Sequence, residues 1–345
     1  MSSVVCIGGG GIRSSFTAAA LGHQYKESNP LVKRADEYSG VSAGSIIAAV
    51  LATGQDPGDA AQLLIHRPVV KQHSTAWKAY HALRCATGHA NSLYTGNTLK
   101  GFLHESFGEK PLIAPLSVAC SCATTLQQRL FSTKAGSRVP VDTVVASCSI
   151  PGVFPAVQID KGMYIDGGGE SQFARQTIRE FSNRSKHDIM SLYSANPWMG
   201  RTVDEYSNLA YSLKNIGNHL VSNYKHYGLA VDHQETLEML DFNKRTVPDG
   251  SFAAWYTRGQ GGLQLADMAT PGSAHVPRQK YDATAVFYAP TPRQYINAEK
   301  YTLVSKMKDR NPTVKAMLDA GEQGGRELQK LCRECGIIPQ ATLKF

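Results

Sequence analysis

Hydrophobic and polar positions alternate between two periods along this chain. Residues 3–7 hold Val4, Val5, Cys6 and Ile7 without a polar break, which predicts a short buried strand. Gly8 to Gly11 then form a turn, and a helical pattern follows over residues 14–25. Residues 36–39 lead into Gly40-Val41-Ser42-Ala43-Gly44, and the alanine- and isoleucine-rich residues 45–53 predict a second helix that stops at Gly54. The order strand, loop, helix is thus written twice in succession.

Between residues 56 and 107 helical patterns are broken at Pro57, Pro68, Gly88 and Gly96. Residues 116–123 and 128–132 predict paired strands, with further short strands at 144–147, 156–159 and 163–165. Leu209, Leu213, Ile216, Leu220 and Tyr224 keep steps of three or four, as one buried helix face would. Asn311-Pro312 is a helix start, and Gly321, Gly324 and Gly325 are expected to divide that helix before residues 326–335. Strands alternating with helices imply an α/β layered sheet. The simplest division is one domain over residues 1–291 with a helical extension, 292–345, packed on it.

Composition keeps this picture and removes several others. A chain of 345 residues with 42% hydrophobic and 19% charged residues is ordinary globular material, not a disordered one. No apolar run approaches the roughly 18–20 residues of a membrane-spanning helix. The N-terminal residues lack the pattern of a secretory signal, so the expected location is cytoplasmic, with contact at membrane surfaces only peripheral. Seven cysteines in so long a chain read as reduced core thiols. The pairs Cys120/Cys122 and Cys332/Cys335 lack the second pair or nearby histidines of a zinc site, and no metal is expected. The net charge of +8 is concentrated late: residues 278–345 hold 12 Lys+Arg against 7 Asp+Glu. With no block of like charge and no interleaved aromatics, this reads as a solvated basic face, and no nucleic-acid partner is expected.

The chemistry begins at Gly40-Val41-Ser42-Ala43-Gly44, which matches the G-x-S-x-G nucleophile elbow in its letters and in its strand-to-helix setting. There a serine sits on a strained turn, and Gly40 and Gly44 let strand and helix pass closely. Cleaving an ester also needs a base and an oxyanion site. Gly8 to Gly11 supply backbone N–H groups able to converge on a developing oxyanion, and one such donor is worth roughly 3–4 kcal/mol in the transition state. A dinucleotide loop does not fit, since the last glycine of G-x-G-x-x-G falls on Arg13 or Ser14. Arg13 has two readings, a contact to an anionic head group or a brace for the loop. For the base, His187, His219, His226, His233 and His275 have no distinguishing setting, whereas Asp166-Gly167-Gly168-Gly169 places a carboxylate at a flexible turn after a short apolar strand.

Gly9-Gly10-Gly11-Ile12-Arg13, then Gly40-Val41-Ser42-Ala43-Gly44, then Asp166-Gly167-Gly168 resemble the three ordered motifs of the patatin-like phospholipase family. The segment from Ala146 through Ser147, Ser149, Pro151, Phe154 and Pro155 to Val157 is similar to that family's Ser-Ile-Pro-x-x-Phe-Pro-Pro-Val region, and residues 93–108 resemble a further stretch. Together these cover about residues 3–170. The resemblance implies a three-layer α/β/α sandwich with a mostly parallel sheet, and Ser42 as nucleophile with Asp166 as its only side-chain partner. It further implies an oxyanion hole at Gly9, Gly10 and Gly11, a phospholipid or other acyl lipid substrate, and no cofactor, neither calcium nor histidine being required. Gly8 stands where many members have aspartate, and Ser14 replaces a frequent glycine, departures that bear on loop rigidity and substrate preference.

Two other functions remain compatible with these residues. One is a catalytically weak lipid-binding or regulatory protein on the same scaffold; the other is a conventional esterase using a later histidine. Residues 56–110 read either as a lid or membrane-facing surface, or as peripheral helices covering the sheet.

Overall fold

The first apolar run forms β1 (Ser2–Ile7), in which Val4, Val5, Cys6 and Ile7 are wholly buried. The structure, a computed structural model, describes residues 2–11, 14–66, 74–125, 127–169, 187–192, 252–257, 263–266, 278–281, 283–290 and 312–334. A strand with no polar face needs neighbours on both edges and cover on both sides. β1 pairs in parallel with β2 (Glu37–Val41), Ile7 opposite Gly40, and with β7 (His187–Leu192), Ile7 opposite Leu192.

Around this centre lie β3 (Leu116–Cys122), β4 (Gln128–Thr133), β5 (Val157–Ile159), β6 (Gly162–Asp166), β8 (Phe252–Thr257) and β11 (Ala283–Pro290). The strand order is β5-β6-β3-β2-β1-β7-β11-β8, with β4 paired to β3. The pairs from β3 through β2, β1 and β7 to β11 are parallel, and antiparallel pairs flank them. β9 (Leu263–Ala266) and β10 (Arg278–Tyr281) form a separate two-stranded sheet. The chain winds from β1 to β2 and β3 on one side and reaches β7 and β11 on the other. Winding therefore reverses at β1, and in such sheets the ligand site lies beyond the carboxyl ends of the strands at the reversal.

The helices are α1 (Ser14–Lys26), α2 (Pro30–Lys33), α3 (Ala43–Ala52), α4 (Pro57–His66), α5 (Thr75–Ala86), α6 (Asn97–Phe107), α7 (Val141–Ser147) and α8 (Pro312–Glu334). α3 is buried along its whole length and packs on β1, β2 and β3; α7 packs on β3, β5 and β6. α1 packs against both α4 and α8, which explains why even its Ser14, Thr17 and Gln24 are buried. Helices flanking an open, mostly parallel sheet make the expected α/β/α sandwich. No helix among the described residues is long and apolar enough to cross a membrane.

Two expected elements differ from those observed. Residues 144–147, expected as a strand, belong to α7, where Pro140 starts the turn by accepting from the Thr143 and Val144 N–H groups. The β-branched run Val141, Thr143, Val144 and Val145 suggests a strand, but each of these side chains is buried in the helix's packing against the sheet, and tertiary contact overrides the propensity. The late helix is not divided by its glycines either: α8 runs unbroken through Gly321, Gly324 and Gly325. A Cβ at Gly321 would sit 2.7 Å from the Phe16 carbonyl oxygen, and one at Gly325 2.7 Å from that of Ala20. These glycines therefore let α8 lie directly on the backbone of α1. The expected helix over Leu209 to Tyr224 falls outside the described residues, as does Pro68.

Candidate active site

β2 ends at Val41 and the chain turns into α3 through Ser42, whose φ of 53° and ψ of −131° are strained for any residue bearing a side chain. Holding such a conformation costs of order 1–3 kcal/mol, so the surroundings must impose it. They do so through backbone contact. A Cβ at Gly44 would collide with the carbonyl oxygens of Ile7 and Gly8, and one at Gly40 with the carbonyl of Gly44. The end of β1, the end of β2 and the first turn of α3 are thus pressed together, as the two glycines of the elbow allow.

The Ser42 side chain does not cap α3. Its Oγ donates instead to Asp166 Oδ2 at 2.8 Å, with Ser42 7% and Asp166 4% exposed. Strand register explains the meeting. Val41 lies opposite Ala119 on β3, and Asp166, the last residue of β6, lies opposite the next residue, Cys120. Asp166 is fixed three ways: its N–H donates to the Ser149 carbonyl at 2.9 Å, its Oδ1 accepts from the Gly168 N–H at 2.8 Å, and Gly167 fits against the Ala119 carbonyl where a Cβ would collide. One carboxylate oxygen is therefore occupied by its own turn and the other faces the serine.

Sequence reasoning missed Ser147. This wholly buried residue at the end of α7 accepts the Ser42 N–H at 2.8 Å and donates to the Ala119 carbonyl at 2.7 Å. It ties the strained turn to β3. Ser45 adds a second tie, its N–H donating to the Ser42 carbonyl at 2.8 Å. The segment bearing Ser147 carried part of the family resemblance, but a contact spanning 105 residues is not a local pattern.

The sequence profile of the patatin-like phospholipases matches residues 5–198, a span that takes in the glycine loop, the elbow and Asp166. The chain belongs to the patatin-like phospholipase family. Among curated proteins none matches it. Solved structures similar to it include VipD from Legionella pneumophila, at 12% identity and a TM-score of 0.40, covering 96% of this chain and 67% of VipD. Full-length ExoU from the type III secretion system of Pseudomonas aeruginosa, crystallised with SpcU, is 14% identical at a TM-score of 0.29, with 69% of this chain and 53% of the other aligned. The chain thus spans about half to two thirds of the length of these structures. Membership assigns it, at family level, to the lipid ester hydrolases.

Within this patatin-like site, Gly8 and Gly9 are buried at the carboxyl end of β1, while Gly10 and Gly11 are partly open to solvent, Gly11 with a φ of +56°. Arg13, His219, His226, His233 and His275 lie outside the described residues, and for His187 only its place at the start of β7 is described. Two thiols border the carboxylate. Burial first, and then the negative charge of Asp166, push Cys120 and Cys148 well above the ordinary thiol range, so both stay protonated near neutral pH. A protonated, buried thiol is a poor nucleophile.

Proposed function

We propose that the protein is a phospholipase A type lipid acyl hydrolase that works through an acyl-serine intermediate on a Ser42–Asp166 dyad. The observation that carries this reading is the 2.8 Å hydrogen bond from Ser42 Oγ to Asp166 Oδ2 at a strained, buried strand-to-helix turn. As Ser42 Oγ attacks the ester carbonyl carbon, its proton passes to Asp166 Oδ2. The carbonyl oxygen becomes an oxyanion beside the Gly9–Gly11 loop, whose nearness to the first turn of α3 follows from the contact of Gly44 with Ile7 and Gly8. Collapse of the tetrahedral species breaks the ester bond, and the leaving alkoxide takes the proton held by Asp166. Water then attacks the acyl-serine carbonyl carbon and gives a proton to Asp166, and as the tetrahedral species collapses the fatty acid leaves and that proton passes from Asp166 to Ser42 Oγ. Seating the carboxylate where water hardly competes for its lone pair suits it to this work. No cofactor enters any step.

Labelling with a fluorophosphonate, followed by peptide mapping, tests the dyad. Modification is expected on Ser42 and absent from Ser42→Ala. Asp166→Asn keeps the shape of the turn but removes the proton acceptor, so ester hydrolysis should fall by roughly 10³-fold or more. Hydrolysis largely retained in Asp166→Asn would place the base elsewhere and return the histidine alternative.

A further inference from the structure

The inner side of α5 is accounted for. Trp77 and His81 stack at 3.9 Å between centroids, Trp77 lies 6.1 Å from Tyr94, and Tyr94 lies 6.2 Å from Phe154, so the helix caps an aromatic cluster. The outer side is not. Tyr80 and Leu83 are 58% and 63% exposed, and Ala76, Ala79 and Ala82 beside them are exposed too. Four large hydrophobic residues are exposed among the described residues, and two of them stand one turn apart on this helix. A helix apolar on both sides is ordinarily covered on both.

Charge indicates what covers it. Residues 60–104 contain no aspartate or glutamate, although a stretch of that length would hold between three and four at the chain's mean density. The same stretch carries Arg67, Lys71, Lys78, Arg84 and Lys100, of which Lys100 is paired with Asp142 at 2.6 Å and Arg67 and Lys71 lie outside the described residues. The Arg84 guanidinium stands 5.9 Å from the Tyr80 ring centroid, putting a cation at the edge of the apolar patch.

We propose that α5 docks the protein on anionic phospholipid surfaces, with Tyr80 and Leu83 entering the head-group boundary and Arg84 at the edge of the patch meeting a lipid phosphate. Apolar side chains and basic residues on one helix are what such a boundary takes up. A nucleic acid would use the cations but leave Leu83 and the alanines in water. The consequence for the site is direct: Tyr94 and Leu93 bond through their N–H groups to the carbonyls of Val153 and Gly152, in the loop whose Ser149 carbonyl holds the Asp166 N–H. Docking through α5 therefore seats that loop at the lipid surface. The proposal takes its purpose from the lipid-hydrolase reading, but its test does not depend on catalysis.

Ser42→Ala protein, which cannot degrade its target, is sedimented with vesicles of phosphatidylcholine alone and of phosphatidylcholine mixed with phosphatidylserine. Binding should be at least about ten-fold tighter on the anionic vesicles and weaken as salt rises. Adding Tyr80→Ser and Leu83→Ser together should weaken it roughly ten-fold or more, since each side chain has over half its surface to withdraw from water. Leu83→Trp should bind more tightly while melting at the same temperature and staying in the supernatant without vesicles, a combination that misfolding cannot imitate. Equal sedimentation of all variants would overturn the proposal, as would capture by a single-stranded oligonucleotide in place of vesicles. Failure of the hydrolase reading would show separately, as a wild-type protein that neither reacts with fluorophosphonate nor cleaves a soluble short-chain ester.

Discussion

A wholly buried hydroxyl needs both a donor and an acceptor, and Ser147 finds them in the Ser42 N–H and the Ala119 carbonyl. Replacing it by alanine strands two buried backbone groups, which should cost about 2–3 kcal/mol of stability. It also releases the elbow from β3, so kcat should fall by about ten-fold or more with KM little changed. Thermal melts and steady-state kinetics on Ser147→Ala would check both; an unchanged kcat would reduce Ser147 to a packing role. At this scale the sequence is generous with groups whose signature is local. Ser42 between its glycines and Asp166 before its glycines stand out as words. Ser147 does not, because its partners come from the turn after β2 and from β3, and only the folded sheet brings them together.

Helix propensity and packing pull in opposite directions at Gly321 and Gly325, and the structure decides between them. On an exposed helix, glycine to alanine stabilises by up to about 1 kcal/mol. Here the new methyl would meet the carbonyl of Phe16 or Ala20 and the side chain of Ala19 or His23, so the double replacement by alanine should instead destabilise by about 1–3 kcal/mol. A denaturation midpoint moving upward would show that α8 rides higher on α1 than described. The same contest explains why element boundaries were only partly legible. Strands β1, β3 and β4 carry their own pattern. α7 spells a strand with its valines and becomes a helix because of what it lies against, and the α8 glycines spell a break but serve a contact.

At the scale of the whole molecule, α8 closes over α1 from the far end of the chain. Gln24 donates to the Gly325 carbonyl, and Asn29 reaches both Gln24, at 2.6 Å, and Gln329, at 3.5 Å. We propose that residues 292–345 fold as part of the same unit as the sheet. A chain ending at residue 311 would uncover the α1 backbone at Phe16, Ala19 and Ala20, and its melting temperature should drop by roughly 10 °C or more, or the protein should aggregate. A truncated chain melting like the full one would make α8 an ornament. The order of layers was legible from alternating strands and helices, but this closure was not, since the pairing of Gln24 with Gly325 spans 301 residues of sequence.

The distance between Ser42 and Asp166 along the chain is 124 residues, and it has a meaning during synthesis. At roughly 5–20 residues per second the serine leaves the ribosome about 6–25 s before its carboxylate does. On the dyad reading, a nascent or terminated chain that ends before Asp166 has no base for its serine and is harmless to the membranes around it. Competence cannot arrive before β6 is laid down against β3, so one antiparallel strand of the sheet arms the serine that an earlier parallel strand presents.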